Sequence, residues 1–289
     1  MRLALISSAV IAAAGALVLG ALGHGLAAPQ AVPRFVQDER PLRAAADVDV
    51  ELVLAVDVSY SMDPDEQALQ RDGYVQALTS REFLQALHEG ATGKIAITYI
   101  EWSGPNDQKI VLPWRLIEGP ESADAVAGEI AGAPYRRASR TSISGALHFA
   151  KPLFDHSGYR GLRRVIDVSG DGPNNAGSLV VSARDDVLAA GITINGLPIM
   201  LKRPNFGFMD IANLDVYYED CVIGGPGAFV VPIHERAQFI EATRTKLVLE
   251  VAGRMPKPRI IPASAKAPRI SCTIGEERWR QRWGDYDFR

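Results

Sequence analysis

Val50-Glu51-Leu52-Val53-Leu54-Ala55-Val56 is apolar at every position but one, and the run stops at Asp57-Val58-Ser59-Tyr60-Ser61. A short, branched, nearly unbroken apolar segment predicts a strand covered on both faces. Just beyond it, Asp63 is placed as an N-cap, Pro64 at the first helical position, and Asp65 and Glu66 in the first turn. That order predicts a helix over 65–78. Thr79-Ser80-Arg81-Glu82 reads as a capping box opening a second short helix to about residue 89.

The same alternation continues along the chain. Strand-like runs at 94–102 and 109–116 flank the turn cluster Ser103-Gly104-Pro105-Asn106-Asp107, which predicts a hairpin. Helical patterns follow at 123–130, 144–154 and 182–190, with strands at 165–169 and 193–199. Strands alternating with helices predict an α/β fold: a doubly wound, mostly parallel central sheet with helices on both faces and one antiparallel edge strand. Over 235–251, Ile240, Leu247, Val248 and Val251 recur at helical spacing, and four prolines in 254–268 predict an extended tail. No internal repeat is present.

The polar end of the first strand carries the candidate chemistry. Asp57, Ser59 and Ser61 fall on a strand-to-helix loop that can fold all three donors around one point. Oxygen donors, two of them neutral, favour Mg²⁺, Mn²⁺ or Ca²⁺ over zinc, which prefers His and Cys. The alternative is a strand-end Asp capping loop amides, with its hydroxyl neighbours in turns.

Asp57-Val-Ser-Tyr-Ser resembles the D-x-S-x-S segment of von Willebrand factor A (VWA) domains, whose metal-ion-dependent adhesion site adds a Thr and an Asp from two further loops. Arg140-Thr141-Ser142-Ile143-Ser144-Gly145-Ala146-Leu147 resembles the threonine loop, and Val165-Ile-Asp-Val-Ser-Gly-Asp171-Gly172 resembles the third loop. The resemblance covers about 49–201 and implies metal ligands Asp57, Ser59, Ser61, Thr141 and Asp171. It implies, too, that a partner protein completes the shell with an acidic residue. Two carboxylates leave a divalent cation electrophilic enough to accept that acid. The whole chain is also similar to an uncharacterised family of exported bacterial VWA-like proteins, through Glu101-Trp102, Ser169-Gly-Asp-Gly and Cys221-Val-Ile-Gly-Gly-Pro-Gly-Ala-Phe229. That family has no activity to carry over.

Around the threonine loop, Arg136, Arg137 and Arg140 could steer an acidic ligand, or simply solvate the loop. Asp63, Asp65 and Glu66 resemble the acids that hold a second cation in integrin β-subunits, but Pro64 stands where that pattern has an acid.

With 289 residues, 47% of them hydrophobic and 22% charged, the chain can bury a full core. The organisation expected is a signal peptide at 1–28, a linker at 29–48, the VWA-like domain at 49–252 and a C-terminal tail at 253–289. A net charge of −3 argues against a general nucleic-acid binder. Arg2, an apolar stretch over 3–22 and Gly25-Leu26-Ala27-Ala28 form an export signal cut after Ala27 or Ala28. Cleavage leaves a periplasmic or secreted protein with no membrane insertion; an uncleaved segment would anchor it in the inner membrane. Cys221 and Cys272 then meet an oxidising compartment, and a bridge between them would staple the tail to the domain; two reduced thiols are the alternative.

An enzyme is disfavoured. His88, His148, His156 and His234 lack zinc spacing, and no nucleophile, phosphate-loop or dinucleotide pattern occurs. A Mg²⁺-dependent phosphohydrolase built on Asp57 would need a second nearby carboxylate and a phosphate-binding Lys. A scaffold with a vestigial metal site is the third reading.

Overall fold

The computed structural model describes residues 45–201, 211–253 and 269–284. The expected signal segment, nearly all of the linker and the proline-rich 254–268 lie outside them.

Among the described residues five strands form one sheet: β1 (Ala46–Asp57), β2 (Ile95–Trp102), β3 (Gln108–Ile117), β4 (Tyr159–Gly170) and β5 (Thr193–Pro198), in the order β3-β2-β1-β4-β5. β1 runs parallel to both β2 and β4, β4 parallel to β5, and only β3 is antiparallel, at an edge. Alternate residues of β1 feed two separate cores. Val50, Leu52, Leu54 and Val56 face one layer and Val53 and Ala55 the other, so the strand must be apolar on both sides.

The first layer holds α1 (Pro64–Leu78), α2 (Arg81–His88), α3 (Pro120–Ala131) and α7 (Phe239–Ala252). Gly73 lets α1 approach α7 closely: a Cβ there would lie 3.0 Å from Thr243 Oγ1 and 3.1 Å from Phe239. The opposite layer holds α4 (Ile143–Ala150), α5 (Val180–Ala189) and the short α6 (Leu214–Tyr217), which runs into a π-turn at Tyr218–Val222. Cys221 in that turn is bonded to Cys272, just before α8 (Ile274–Trp283). Among the described residues no helix is long and apolar enough to cross a membrane.

Several boundaries differ from the sequence expectation. β1 begins at Ala46, so the last three linker residues are strand, and β4 begins at Tyr159. The β4 extension carries exposed or half-buried side chains, among them Arg160, which pairs with Asp47 of β1, and so lacks an unbroken apolar pattern. The cap of α2 is Ser80, whose hydroxyl accepts from the Phe83 amide, while Thr79 bonds back to the Val75 carbonyl and ends α1. α4 stops at Ala150, because Pro152 cannot donate to the helix ladder, and continues as a 3₁₀ segment over Lys151–His156. α7 buries Phe239, Thr243, Lys246, Leu247, Glu250 and Val251, a stripe that includes two charged residues and leaves Ile240 and Val248 only partly buried.

Candidate metal centre

At its carboxyl end β1 passes between two neighbours. The Val58 amide donates to Trp102 O, the Ala138 amide to Val58 O, and the Tyr60 amide to Ala138 O. The first loop is thereby zipped to the chain leading into Thr141. Asp57 Oδ1 accepts from the Ser59 amide at 2.7 Å, which curls the loop so that Ser59 and Ser61 can meet. Their hydroxyls are 2.7 Å apart, and Ser61 Oγ donates to Asp171 Oδ1 at 2.6 Å, across 110 residues of sequence.

Thr141 is buried and is held by its backbone to Asn175, not directly to the hydroxyl cluster. Its amide donates to Asn175 Oδ1 at 2.9 Å and its carbonyl accepts from the Asn175 amide at 2.8 Å, locking it to the segment that follows Asp171. Asn174 makes a second stitch, its Oδ1 accepting from the Ser144 amide at 3.0 Å. The Gly172-Pro-Asn-Asn segment therefore shapes the rim through two asparagine side chains, whose sequence context shows only a turn.

The electrostatics are those of an acidic site short of positive charge. Burial, and then the negative charge of Asp171, push the Asp57 carboxyl well above the usual carboxylate range, against the pull of the Ser59 and Asp171 amides. Asp57 Oδ2 is buried and has no hydrogen-bond partner, and the same is true of Tyr218 Oη; both stand within 3.1 Å of where a Cβ on Gly170 would be. A buried, unpartnered carboxylate oxygen beside a second carboxylate and linked hydroxyls is a donor set that suits a hard divalent cation. Among the described residues no three His, Cys, Asp or Glu side chains come together, so any such ion would depend on hydroxyl donors as well.

The basic residues of the threonine loop have partners within the chain. Arg136 bonds Glu101 Oε2 at 3.1 Å and Asp107 Oδ1 at 2.8 Å. Arg137 donates to the Tyr60 and Met62 carbonyls, and Arg140 lies 4.0 Å from the centre of the Trp279 ring. Glu101, at the end of β2, is buried between Arg136 and Arg71, and Trp102 beside it is fully buried. Asp63 and Glu66 cap the start of α1 reciprocally, each accepting from the other's amide, while Asp65 is exposed. That capping occupies Asp63 and Glu66, two of the three acids that resemble those of a second cation site.

Beside Ser59 and Ser61, Tyr60 and Tyr135 wall a cleft of about 580 Å³ floored by Pro64 and Ala68. Both tyrosines are more than half exposed, at 60% and 55%, and each is backed by a guanidinium, Arg137 and Arg71 respectively. The sequence reading also missed α8, which rests on the rim through Glu276 and Trp279. The signal for it was present: Glu276 and Glu277 in a first turn, Arg280 and Arg282 in a last turn, and two tryptophans four residues apart.

A family model described as "Protein of unknown function (DUF1194)" matches residues 47–255, well over half of the chain. The chain belongs to that family. Its fold is that of VWA domains, with a five-stranded, mostly parallel sheet and one antiparallel edge pair. Among solved structures, this DUF1194 chain is similar to the pilus adhesin SpaC from Lactobacillus rhamnosus GG, with 12% identity and a TM-score of 0.54 over 72% of this chain and 31% of that one. It is similar also to proximal thread matrix protein 1 from the mussel byssus, with 15% identity, a TM-score of 0.51 and coverage of 72% and 49%. A form of the mussel protein with a zinc-occupied MIDAS motif matches at 17% identity and a TM-score of 0.50, again over 72% and 49%. The DUF1194 chain thus spans about half the length of the mussel protein and less than a third of the adhesin, and at these identities the likeness shows the fold. No curated protein matches it.

Proposed function

We propose that this chain is a divalent-cation-dependent protein-binding domain. Asp57, Ser59, Ser61, Thr141 and Asp171 would hold Mg²⁺, with Mn²⁺ or Ca²⁺ as substitutes, and an acidic residue of a partner protein would complete the shell. The observation that carries this reading is the hydrogen-bonded line from Ser59 through Ser61 to Asp171, beside the unpartnered Oδ2 of Asp57. In the absence of a cation, such a site keeps two carboxylates close together in a buried setting, an arrangement that costs stability unless a positive charge offsets it.

The ion would supply an electrophilic point that an incoming carboxylate can satisfy. The chain's own residues do the rest: the Ser59 amide orients Asp57, Ser61 orients Asp171, and Asn175 fixes the loop that bears Thr141. The cleft between Tyr60 and Tyr135 would take the side chain next to the partner's acid, since rigid exposed tyrosines are favoured contact residues. The adhesin and matrix proteins of similar fold support a binding role over an enzymatic one. Lys246, a buried lysine, is paired with Asp167 and Glu250 rather than turned to Asp57, which further weakens the phosphohydrolase reading. The expected export signal suits such a role in the periplasm or outside the cell.

The test is a calorimetric titration of Mg²⁺ and Mn²⁺ into the purified chain, beside Asp57→Ala and Thr141→Ala. Affinity should fall at least about tenfold in each variant, as for the loss of a direct ligand. Equal affinity in all three proteins refutes the assignment. Recovery of a partner from an envelope extract should then stop when chelator is added; recovery undiminished by chelator would leave the domain a scaffold with a vestigial site.

A further inference from the structure

Helix α8 packs its first residue, Ile274, against the second core and touches two of the three loops of the metal centre. Glu276 Oε1 accepts from Asn174 Nδ2 at 2.7 Å, and Glu276 is almost fully buried. Gly275 lies so near the Asn174 backbone that a Cβ there would be 1.9 Å from the Asn174 carbonyl oxygen, so only glycine allows this approach. On the other loop, the Trp279 ring carries the Arg140 guanidinium at 4.0 Å.

Both contacts lead directly to proposed ligands. Arg140 precedes Thr141 and is the one non-glycine among the described residues with positive φ, at 77°. A left-handed backbone at a residue with a side chain is strained and persists only where surrounding contacts impose it. Stacking on Trp279 is one such contact. Asn174, held by Glu276, is three residues past Asp171 and accepts from the Ser144 amide of the threonine segment. The helix is itself tethered, because Cys272, two residues before its first turn, is bonded to Cys221 in the turn that follows α6.

We propose that α8 is a built-in positioning element for the cation site, with Trp279 setting the threonine loop through Arg140 and Glu276 setting the third loop through Asn174. This rests on the reading that Asp57, Thr141 and Asp171 bind a cation, and it adds a physical reason for the C-terminal segment. The three ligand loops come from separate crossovers and are stitched to one another at Ser61–Asp171, Thr141–Asn175 and Ser144–Asn174, and a brace that holds Arg140 and Asn174 from outside lowers the entropy of keeping those stitches in one geometry. It also makes Cys221–Cys272 part of the site's support rather than a remote staple.

The experiment compares the full chain with Trp279→Ala, Trp279→Phe and Glu276→Gln, and with Arg140→Gly alone and combined with Trp279→Ala. Two quantities are measured: amide hydrogen exchange at Ser144 and Asn175 in cation-free protein, and Mg²⁺ affinity by calorimetry. In Trp279→Ala both amides should exchange about tenfold faster while β1 amides keep their protection, and Mg²⁺ affinity should fall about tenfold. Trp279→Phe, which preserves a stacking face, should recover most of both. Because glycine adopts positive φ freely, Trp279→Ala should add little further in the Arg140→Gly background. Unchanged exchange in Trp279→Ala and Glu276→Gln overturns the proposal, and so does faster exchange with unchanged Mg²⁺ affinity, which would make the helix a structural prop only. Loss of β1 protection in Trp279→Ala would also overturn it, by showing that α8 supports the fold as a whole. If the unaltered chain takes up no cation, the binding reading fails, and the α8 proposal fails with it as a statement about a metal site; normal Mg²⁺ binding in the unaltered chain with no loss in the variants sinks the α8 proposal alone.

Discussion

Lys246 Nζ lies 2.6 Å from Asp167 Oδ1, and both side chains are buried in the layer between β4 and α7. Glu250 Oε1 is 2.5 Å from the same ammonium, so two carboxylates share one cation. Burial first, and then Glu250's negative charge, push the Asp167 carboxyl up to about 7, against the pull of Lys246. A carboxyl whose folded value is raised is protonated in the native state while still ionised in the unfolded chain. Its contribution is therefore fully present at low pH and is lost as pH rises from about 4 to about 7. The melting temperature should fall across that window, and the fall should be smaller in Asp167→Asn. An identical pH profile in both proteins would show that Asp167 does not titrate there.

Removing the ammonium should be far costlier than removing one carboxylate. Lys246→Met leaves Asp167 and Glu250 facing each other without a counter-charge, and should lose about 3–5 kcal/mol in urea unfolding. A loss under about 1 kcal/mol would show that the ammonium contributes little to holding these two acids in the buried layer.

At the metal centre the expected sign is opposite. Asp57→Asn removes a buried carboxyl that is costly to ionise beside Asp171 and replaces the unpartnered Oδ2 with a donor near the equally unpartnered Tyr218 Oη. In chelator the variant should melt higher than the parent, while added Mg²⁺ should raise only the parent. A lower melting temperature for Asp57→Asn in chelator would count against carboxylate crowding at this site.

Gly170 and Gly172 offer a paired comparison. A Cβ at Gly170 would be 2.9 Å from Asp57 Oδ2, 3.1 Å from Tyr218 Oη and 3.2 Å from Asp57 Cβ, all of them buried groups that cannot easily yield. Gly170→Ala should lose about 1–3 kcal/mol and weaken Mg²⁺ binding, whereas Gly172→Ala meets nothing within 4 Å and should stay within about 0.5 kcal/mol of the parent. Equal effects in thermal unfolding would contradict the crowding at Gly170.

Arg71 joins stability to the cleft. Its guanidinium bonds Glu101 Oε1 at 2.8 Å and the Ala133 carbonyl at 2.5 Å, and lies 3.9 Å from the centre of the Tyr135 ring. Arg71→Met should lose about 1–3 kcal/mol, less than an unpaired buried charge would cost because Arg136 still bonds Glu101, and Arg71→Lys should recover only part, since an ammonium cannot span these partners as a planar fork does. Full recovery by lysine, measured in urea, would show that charge alone matters there.

The strand-and-helix alternation was legible because β1, β2 and the core of β4 are buried on both faces and so carry unbroken apolar runs. The loop from Asp57 to Ser61 was legible because its spacing and the Asp63–Glu66 cap are local. Less was visible where burial and polarity diverge. Lys246 and Glu250 sit on the buried stripe of α7, and no apolar pattern marks a position that is inside because its charges are paired.

Periodicity and capping act over a few residues, so the fold class, the order of the elements and the residue types at the carboxyl edge of the sheet are written locally in the chain. Three-dimensional packing alone makes Ser61 donate to Asp171, lets Asn175 lock the Thr141 loop, commits Arg136 to Glu101 and Asp107, and rests Trp279 against Arg140. Each of those joins residues brought together by parallel crossovers or a disulfide-tethered tail. Their sequence separations run from about thirty residues to well over a hundred, beyond the reach of any local signal.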